Sequence, residues 1–358
     1  MRSIHQIVAG YNRYDAISNE ARVIRNIFRS WGFESHIYCE QTHIHPALKR
    51  DAEDISTCKP SPSDLTLLHL SVGSNANDLF ASLKCRKAIL YHNVTPPHYF
   101  DMVNNQTMNH LARGRKQMEN LKNAAEINMA DSKFNAGELK ACGYKDVKIL
   151  PIIPDTNELS TAPDKKTLKQ YKDGRKNIVF VGRFAPNKKI EDLVKAFFYF
   201  HKFVEPNSRL IHVGSFQGTE PYYYLTLTQV KELGLSDVHF IGSATPATLS
   251  AIFKSAHLFL SMSEHEGFCV PIMESMFHHV PVMAYSAGAV PETMDNSGVI
   301  FTEKNYKPIA EMMGKLTENT PLRSSVIKNQ DERIKRYLSR NFGEELKHYL
   351  APILEGNS

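Results

Sequence analysis

The chain has 358 residues, 42% hydrophobic and 23% charged, with a mean hydropathy of −0.35; this is an ordinary water-facing composition with room for two domains, each able to bury its own core. A net charge of +5 and a pI near 8.8 suit small anionic ligands or an anionic membrane surface and are too mild to point to nucleic acid. There is no apolar run of about 18 residues to cross a membrane, the opening MRSIHQIVAG is too short and polar for a secretory segment, and five scattered cysteines without C-x-x-C spacing read as reduced thiols of a cytosolic protein.

Ile4 to Ala9 is an apolar run ending at Gly10 and reads as a first strand. Asp15 opens a helix, DAISNEARVIRNIFRSWG, with Ile17, Ala21, Ile24 and Phe28 at helical spacing, and Gly32 ends it. Ser35 to Cys39 is a second strand. A strand–loop–helix–strand opening predicts a parallel sheet with a ligand crevice at the carboxyl ends of its strands, faced by the loop from Gly10 to Asp15. Leu65 to Leu70 and Ala88 to Tyr91 read as further buried strands, whose carboxyl ends run into His69–Ser74 and His92–Pro97. Residues 102–124 read as a polar, basic helix carrying Arg113, Arg115, Lys116 and Lys122; such a run is ordinarily a solvated face, and it also suits an anionic lipid surface. Ile127 to Ala130 is a strand, DSKFNAGELKACG is a helix capped by its serine, and Val147 to Ile153 is the last strand of the first domain. Residues 154–176 are polar and proline-bearing, a linker by composition.

A second alternation follows: strand Asn177 to Val181, helix 191–204, strand 209–213, helix 222–233, strand 238–241, helix 246–255 and strand 257–261. A loop then enters a helix with Pro271 at its first position and Ile272 to His279 as the residues that follow, and Val280 to Ala284 is the next strand. The closing FGEELKHYLAPILE is a helix. The fold class is therefore α/β with two Rossmann-like domains, 1–155 and 156–339. Neither half carries G-x-G-x-x-G, which weighs against a nicotinamide cofactor.

The stretch SEHEGFCVPIMESMFHHVP, from Ser263 to Pro281, carries the chemistry. Gly267 permits a tight turn, and the backbone N–H groups from Phe268 to Ile272 at the helix start make an anion site. Glu266 and Glu274 flank it, and carboxylates accept hydrogen bonds from hydroxyls, so the pattern suits a ligand with both phosphate and sugar hydroxyls. Taken alone, the same spacing is also that of a solvated acidic loop before a surface helix. Upstream, VGRFAPNKKIEDLVKAF supplies Arg183, a planar fork for phosphate oxygens, and Lys188, a mobile point charge.

EHEGFCVPIMESM followed by VPVMAYSAGAVPE, with VGRFAPNKK about 80 residues earlier, resembles the signature of family 4 retaining glycosyltransferases. The resemblance implies two Rossmann-like domains facing across a cleft (the GT-B arrangement), with a C-terminal helix, about 340–358, crossing back to the N-terminal domain. It implies an N-terminal domain that binds acceptor and a C-terminal domain that binds a nucleotide-sugar donor. Arg183 and Lys188 match the diphosphate-binding positions, Glu274 the ribose-binding glutamate, Glu266 the glutamate beside the transferred sugar, and the backbone of Gly267, Phe268, Cys269 and Val270 the sugar and phosphate contacts. His92, in YHNVTPP, matches a histidine facing the donor sugar, and Asp15, Ser71 and Asn93 fall on the acceptor side. Gly288 and Glu292 match the last donor loop. Three departures stand out: only Gly10 remains of a usual Gly-Gly loop, and Lys189 and His279 stand where glycine is usual.

No Asp-x-Asp occurs, so no metal and no cofactor are expected, and fixed cations would stabilise the leaving diphosphate. The implied activity is hexosyl transfer with retention, by front-face attack or through a covalent step at Glu266. The donor would be GDP-mannose first and a UDP-sugar second. The acceptor would be a glycan or a lipid-linked acceptor in surface-polysaccharide synthesis. The location would be cytoplasmic, with peripheral contact at an anionic membrane face left open. A nucleotide-sugar epimerase on the same architecture and a non-catalytic sugar-nucleotide binding protein are the alternatives.

Overall fold

The computed structural model describes residues 3–318 and 320–355, and the chain divides into two compact units. Unit 1 comprises the chain up to His98, Gln106–Asp155 and the segment from Arg340 onward; unit 2 comprises Tyr99–Asn105 and Thr156–Ser339.

Unit 1 holds β1 (Ile4–Val8), β2 (Ile37–Cys39), β3 (Glu53–Asp54), β4 (Leu65–Leu70), β5 (Arg86–Tyr91), β6 (Ile127–Ala130) and β7 (Lys148–Ile149). They lie in the order β3-β2-β1-β4-β5-β6-β7, all parallel. Strands covered by helices on both faces must be apolar throughout, and β4, LTLLHL, is buried at all six positions. Among the polar residues of β1 and β4, Gln6 and His69 are fully buried. The closing helix, Phe342–Leu354, belongs to this unit. It buries Leu346, Leu350 and Ile353, while Tyr349 donates to the Ile149 carbonyl at 3.3 Å and Arg86 to that of Ile353 at 3.2 Å.

Unit 2 holds β8 (Lys176–Val181), β9 (Ser208–Val213), β10 (Val238–Phe240), β11 (Leu258–Ser261), β12 (Val282–Tyr285) and β13 (Val299–Phe301), in the parallel order β10-β9-β8-β11-β12-β13. In each sheet the winding reverses once, between β1 and β4 in unit 1 and between β8 and β11 in unit 2. At such a switch the flanking loops diverge and leave a crevice at the strand carboxyl ends.

Several sequence expectations need correction. Residues 154–176 contain helices Thr156–Leu159 and Lys165–Tyr171 rather than only linker. Asp164 caps the second by accepting from the Thr167 N–H at 2.7 Å, and Tyr171 is its buried residue, so its polar composition is that of a surface helix. The basic helix expected over 102–124 is confined to Asn105–Asn120, and the strand expected over 147–153 is reduced to Lys148–Ile149. The helix expected from Pro271 to His279 runs over Val270–Phe277, with Pro271 at its second position. Helices Asn75–Ser82, Val290–Met294, Tyr306–Thr317 and Pro321–Leu338 and strands β3 and β13 were not expected from the sequence.

Candidate functional site in unit 2

The loops that leave β8 and β11 meet at the switch point. After β8, Phe184 turns fully inward and packs edge-on against His212, Tyr222, Tyr223 and Phe240, which anchors the loop and leaves its neighbour Arg183 exposed. Arg183 Nη2 donates to the Gln217 carbonyl at 3.1 Å. A close backbone crossing holds this corner: a Cβ on Gly214 would stand 1.8 Å from the Gly182 carbonyl oxygen, so only glycine fits. Pro186–Lys188 is one turn of 3-10 helix, and Lys189 follows in the left-handed region at φ +53°. That conformation explains why glycine is usual at this position, and here the lysine side chain reaches Glu191 and Glu264 at 3.5 and 3.4 Å.

Asn187 stitches the two loops together. Its carbonyl accepts from the Glu264 N–H at 2.8 Å, and its Nδ2 donates to the His265 carbonyl at 3.1 Å. The register this sets brings Lys188 Nζ to 2.7 Å from Glu266 Oε2, with the two side chains 20% and 7% exposed. Gly288, at φ +56°, lies against Glu266 from the other side, and the Ala289 N–H donates to the Glu266 carbonyl at 2.9 Å.

The helix carrying Glu274 begins at Val270, and its N-cap is Cys269 at φ +69°. Phe268 and Cys269 are buried; burial, and then the charge of Glu266, push the Cys269 thiol well above its ordinary pKa, so it is a neutral packing group. Glu274 lines a small pocket with Glu158, Leu249, Phe253 and His278. Burial, and then the charge of Glu158, raise its carboxyl to about 7. His279 keeps a left-handed φ of +57° and is held by Asp331 at 2.7 Å, so the turn is retained although glycine is not. Glu292 lies in the first turn of helix Val290–Met294.

The candidates of unit 1 are placed differently. Asp15 is a helix cap, accepting from Ser18 N and Oγ at 2.9 and 2.7 Å. Asn93, at φ +82°, donates to Asn135 and Glu138, each at 2.8 Å. Ser71 is half-buried at the carboxyl end of β4. The His92 side chain is 1% exposed and belongs to an internal polar network. Its Nε2 bonds His69 Nδ1 at 2.9 Å, His69 Nε2 bonds Gln6 Oε1 at 2.8 Å, and Gln6 donates to the Ala21 carbonyl at 3.0 Å. On its other side, His92 Nδ1 stands 3.5 Å from Asp131 and 3.6 Å from Glu20.

Burial alone would lower the pKa of His92, but Asp131 and Glu20 outweigh it and hold it above its ordinary value, whereas burial and His92 hold His69 well below. Glu20, His69 and His92 each offer an atom within 4.8 Å of the others, the spacing of a metal-binding group among the described residues. Both His69 nitrogens and His92 Nε2 are already spent on hydrogen bonds, so the group reads as a hydrogen-bonded network. The sequence reading missed this network. Its signals were two polar residues inside apolar strands and Glu20 on the inward face of its helix, three residues after Ile17 and four before Ile24.

Residues 163–333 match the family model described as "Glycosyl transferases group 1". The GDP-mannose-dependent alpha-mannosyltransferase of Mycolicibacterium smegmatis is 33% identical over 116 residues, which is 32% of this chain and 27% of that protein. The O-antigen chain mannosyltransferase B of Escherichia coli is 24% identical over 124 residues, 34% of this chain and 32% of that protein. The matched region thus spans only about a quarter to a third of the length of these curated relatives. Among solved structures, Anabaena HepE in complex with UDP and glucose matches with a TM-score of 0.75 over 98% of this chain and 100% of its own, at 15% identity, a likeness of fold.

Proposed function

From the match of residues 163–333 to the group 1 glycosyl transferases, we propose that the chain is a retaining, metal-independent hexosyltransferase of that family that uses a nucleotide-sugar donor. One observation carries the reading: the Lys188–Glu266 contact of 2.7 Å, on loops that also present Arg183, at the switch point of the unit 2 sheet. A sugar leaving a diphosphate builds negative charge on phosphate and positive charge on the sugar ring. A lysine and a carboxylate already in contact put the matching charges side by side. Arg183 and Lys188 would take the diphosphate. Glu266 would face the transferred sugar, with the backbone from Gly267 to Val270 beside it. Glu274 would accept from the ribose hydroxyls. Retention would follow from front-face attack, the leaving phosphate helping to deprotonate the acceptor.

GDP-mannose is the first donor and a UDP-sugar the second. The first is supported by the likeness to two mannosyltransferases, and the second by the fold likeness to a protein solved with UDP and glucose. Surface-polysaccharide synthesis, with a glycan or lipid-linked acceptor bound by unit 1, is supported by the likeness to the O-antigen enzyme. Among the described residues no helix is long and apolar enough to cross a membrane. A lipid-linked acceptor would therefore be met at the surface. Arg113 and Arg115 of helix Asn105–Asn120 are paired with Asp78 and Glu138, which leaves Lys116 and Lys122 for anionic lipid.

The test is a thermal-shift screen against GDP-, UDP- and ADP-sugars, followed by turnover in excess EDTA. A specific donor should raise the melting point by mass action, and turnover should survive the chelator. Loss in EDTA restored by Mg²⁺ or Mn²⁺ would overturn the metal-independent reading. Free sugar or an epimerised donor without glycosylated acceptor would overturn the transferase itself.

A further inference from the structure

The strands β8 and β11 that carry the donor loops at their carboxyl ends frame a second cavity at their amino ends. It has a volume of about 330 Å³, near the lower end of small-molecule pockets. Lys172, Arg175, Lys254, His257 and Arg323 line it, and no carboxylate does.

Four cations converging on one hollow repel one another unless something compensates them. Arg175 is compensated, by Asp237 and by Asp173 at 3.5 Å. The other three have no carboxylate partner among the described residues. Arg323, in the first turn of helix Pro321–Leu338, is half-buried, and its Nη1 donates to the carbonyls of His257 and Leu316 at 2.6 and 2.5 Å. Those bonds orient the guanidinium without neutralising it. Lys172 and Lys254 stand exposed at the ends of helices Lys165–Tyr171 and Pro246–Ser255. His257 Nδ1 accepts from the Asn177 N–H at 3.1 Å, so Nε2 carries the proton and is a donor. Burial, followed by Lys176 and Arg323, pushes the pKa of His257 down to about 4, so the ring adds a neutral donor at pH 7.

We propose that this cavity is a second anion site, distinct from the donor site, that takes a phosphate group carried on a small molecule of about the size of a sugar. An oriented guanidinium, two mobile ammonium groups and an imidazole N–H form a complete donor set for phosphate oxygens, and the cavity leaves room for the group that bears the phosphate.

The experiment titrates the full chain with inorganic phosphate and, in parallel, with a hexose 6-phosphate at constant ionic strength, following the melting temperature. Wild type should give a saturable rise. Lys172→Gln/Lys254→Gln, which alters only exposed side chains, should move the half-saturation point at least 10-fold upward. Lys188→Met should leave that point in place, which separates the cavity from the donor site. The hexose phosphate should bind more tightly than inorganic phosphate, and equal binding overturns the assignment of a sugar-sized ligand. Arg323→Gln should abolish the response; where that variant fails to fold, the double lysine variant decides. The proposal is overturned by a response that never saturates, or by one that Lys188→Met removes and the lysine double variant does not. Failure of the transferase reading alone leaves this test intact, because it requires no turnover.

Discussion

Lys188 Nζ and Glu266 Oε2, 78 residues apart in sequence, are 2.7 Å apart in space and tie the loop after β8 to the loop after β11. With Glu266 only 7% exposed, removing the lysine strands a largely buried carboxylate. Lys188→Met should therefore cost roughly 3 kcal/mol of stability. Lys188→Met/Glu266→Gln should regain most of it, since both charges are then gone. Turnover should fall about 10²-fold or more in each single variant and stay low in the double. Thermal melts beside donor kinetics measure both. If stability and turnover recover together in the double variant, the pair is a structural clamp and not part of the chemistry.

Glu274 gives a pH dependence of definite sign. Its folded pKa, about 7, lies above the ordinary 4.5, so folding favours the protonated form. The stability this contributes is fully present below pH 4.5 and is lost as pH rises through 7. A carboxylate accepting from ribose hydroxyls works the other way, because donor binding favours the ionised form. Donor affinity should therefore strengthen as pH passes through about 7, while the melting temperature of the free protein declines over the same interval. Glu274→Gln should flatten both profiles. A donor affinity that weakens through this range in wild type would rule Glu274 out as the hydroxyl acceptor.

Gly288 sets the position of Glu266 from behind. A Cβ there would stand 2.2 Å from the Glu266 carbonyl oxygen and 3.0 Å from its nitrogen, at a φ of +56° that disfavours any side chain. Gly288→Ala must move one segment or the other. Displacement of a reacting group by about 1 Å can cost on the order of 10²-fold. The expected result is a lower kcat at nearly unchanged secondary structure, read by steady-state kinetics with circular dichroism. Wild-type kcat in a folded Gly288→Ala protein would show that the backbone of Glu266 does not need to be fixed.

His279 holds a left-handed conformation, at φ +57°, that glycine adopts without steric cost. The cost for other residues is about 1–2 kcal/mol, and the exposed pair with Asp331 returns roughly 0.5 kcal/mol. His279→Ala keeps the strain and loses the pair, so it should melt lowest. His279→Gly should melt above the alanine variant by about 2–4 °C, the shift for about 1 kcal/mol in a unit of this size. Equal melting of the two variants would mean that the turn relaxes at no cost.

The parallel strands were legible because burial on both faces makes each a largely apolar run, as in LTLLHL of β4 and LFLS of β11. The last helices of unit 2 were not. Helix Pro321–Leu338 buries only Val326, Gln330, Ile334 and Tyr337 among mostly polar or charged neighbours, so its apolar period is faint. The motif residues Lys188 and Glu266 could be named from the sequence, but their contact could not. It depends on Asn187 bridging to Glu264 and His265, a register that only the folded sheet creates. The network around His92 was hidden for the opposite reason: Gln6, Glu20, His69 and Asp131 come from four separate segments, and none carries a motif.

The return of helix Phe342–Leu354 to unit 1 has a consequence for synthesis on the ribosome. All seven strands of the first sheet emerge before residue 150, but the surface that covers Leu346 and Leu350 stays bare until the closing helix appears almost two hundred residues later. The contiguous stretch Thr156–Ser339 is completed in the interval. The translation order therefore favours the later unit maturing first, the reverse of the usual N-terminal-first sequence, while the earlier one waits with an open apolar face. Nascent chains stalled near residue 339 should accordingly resist protease in the second sheet and be cut in the first.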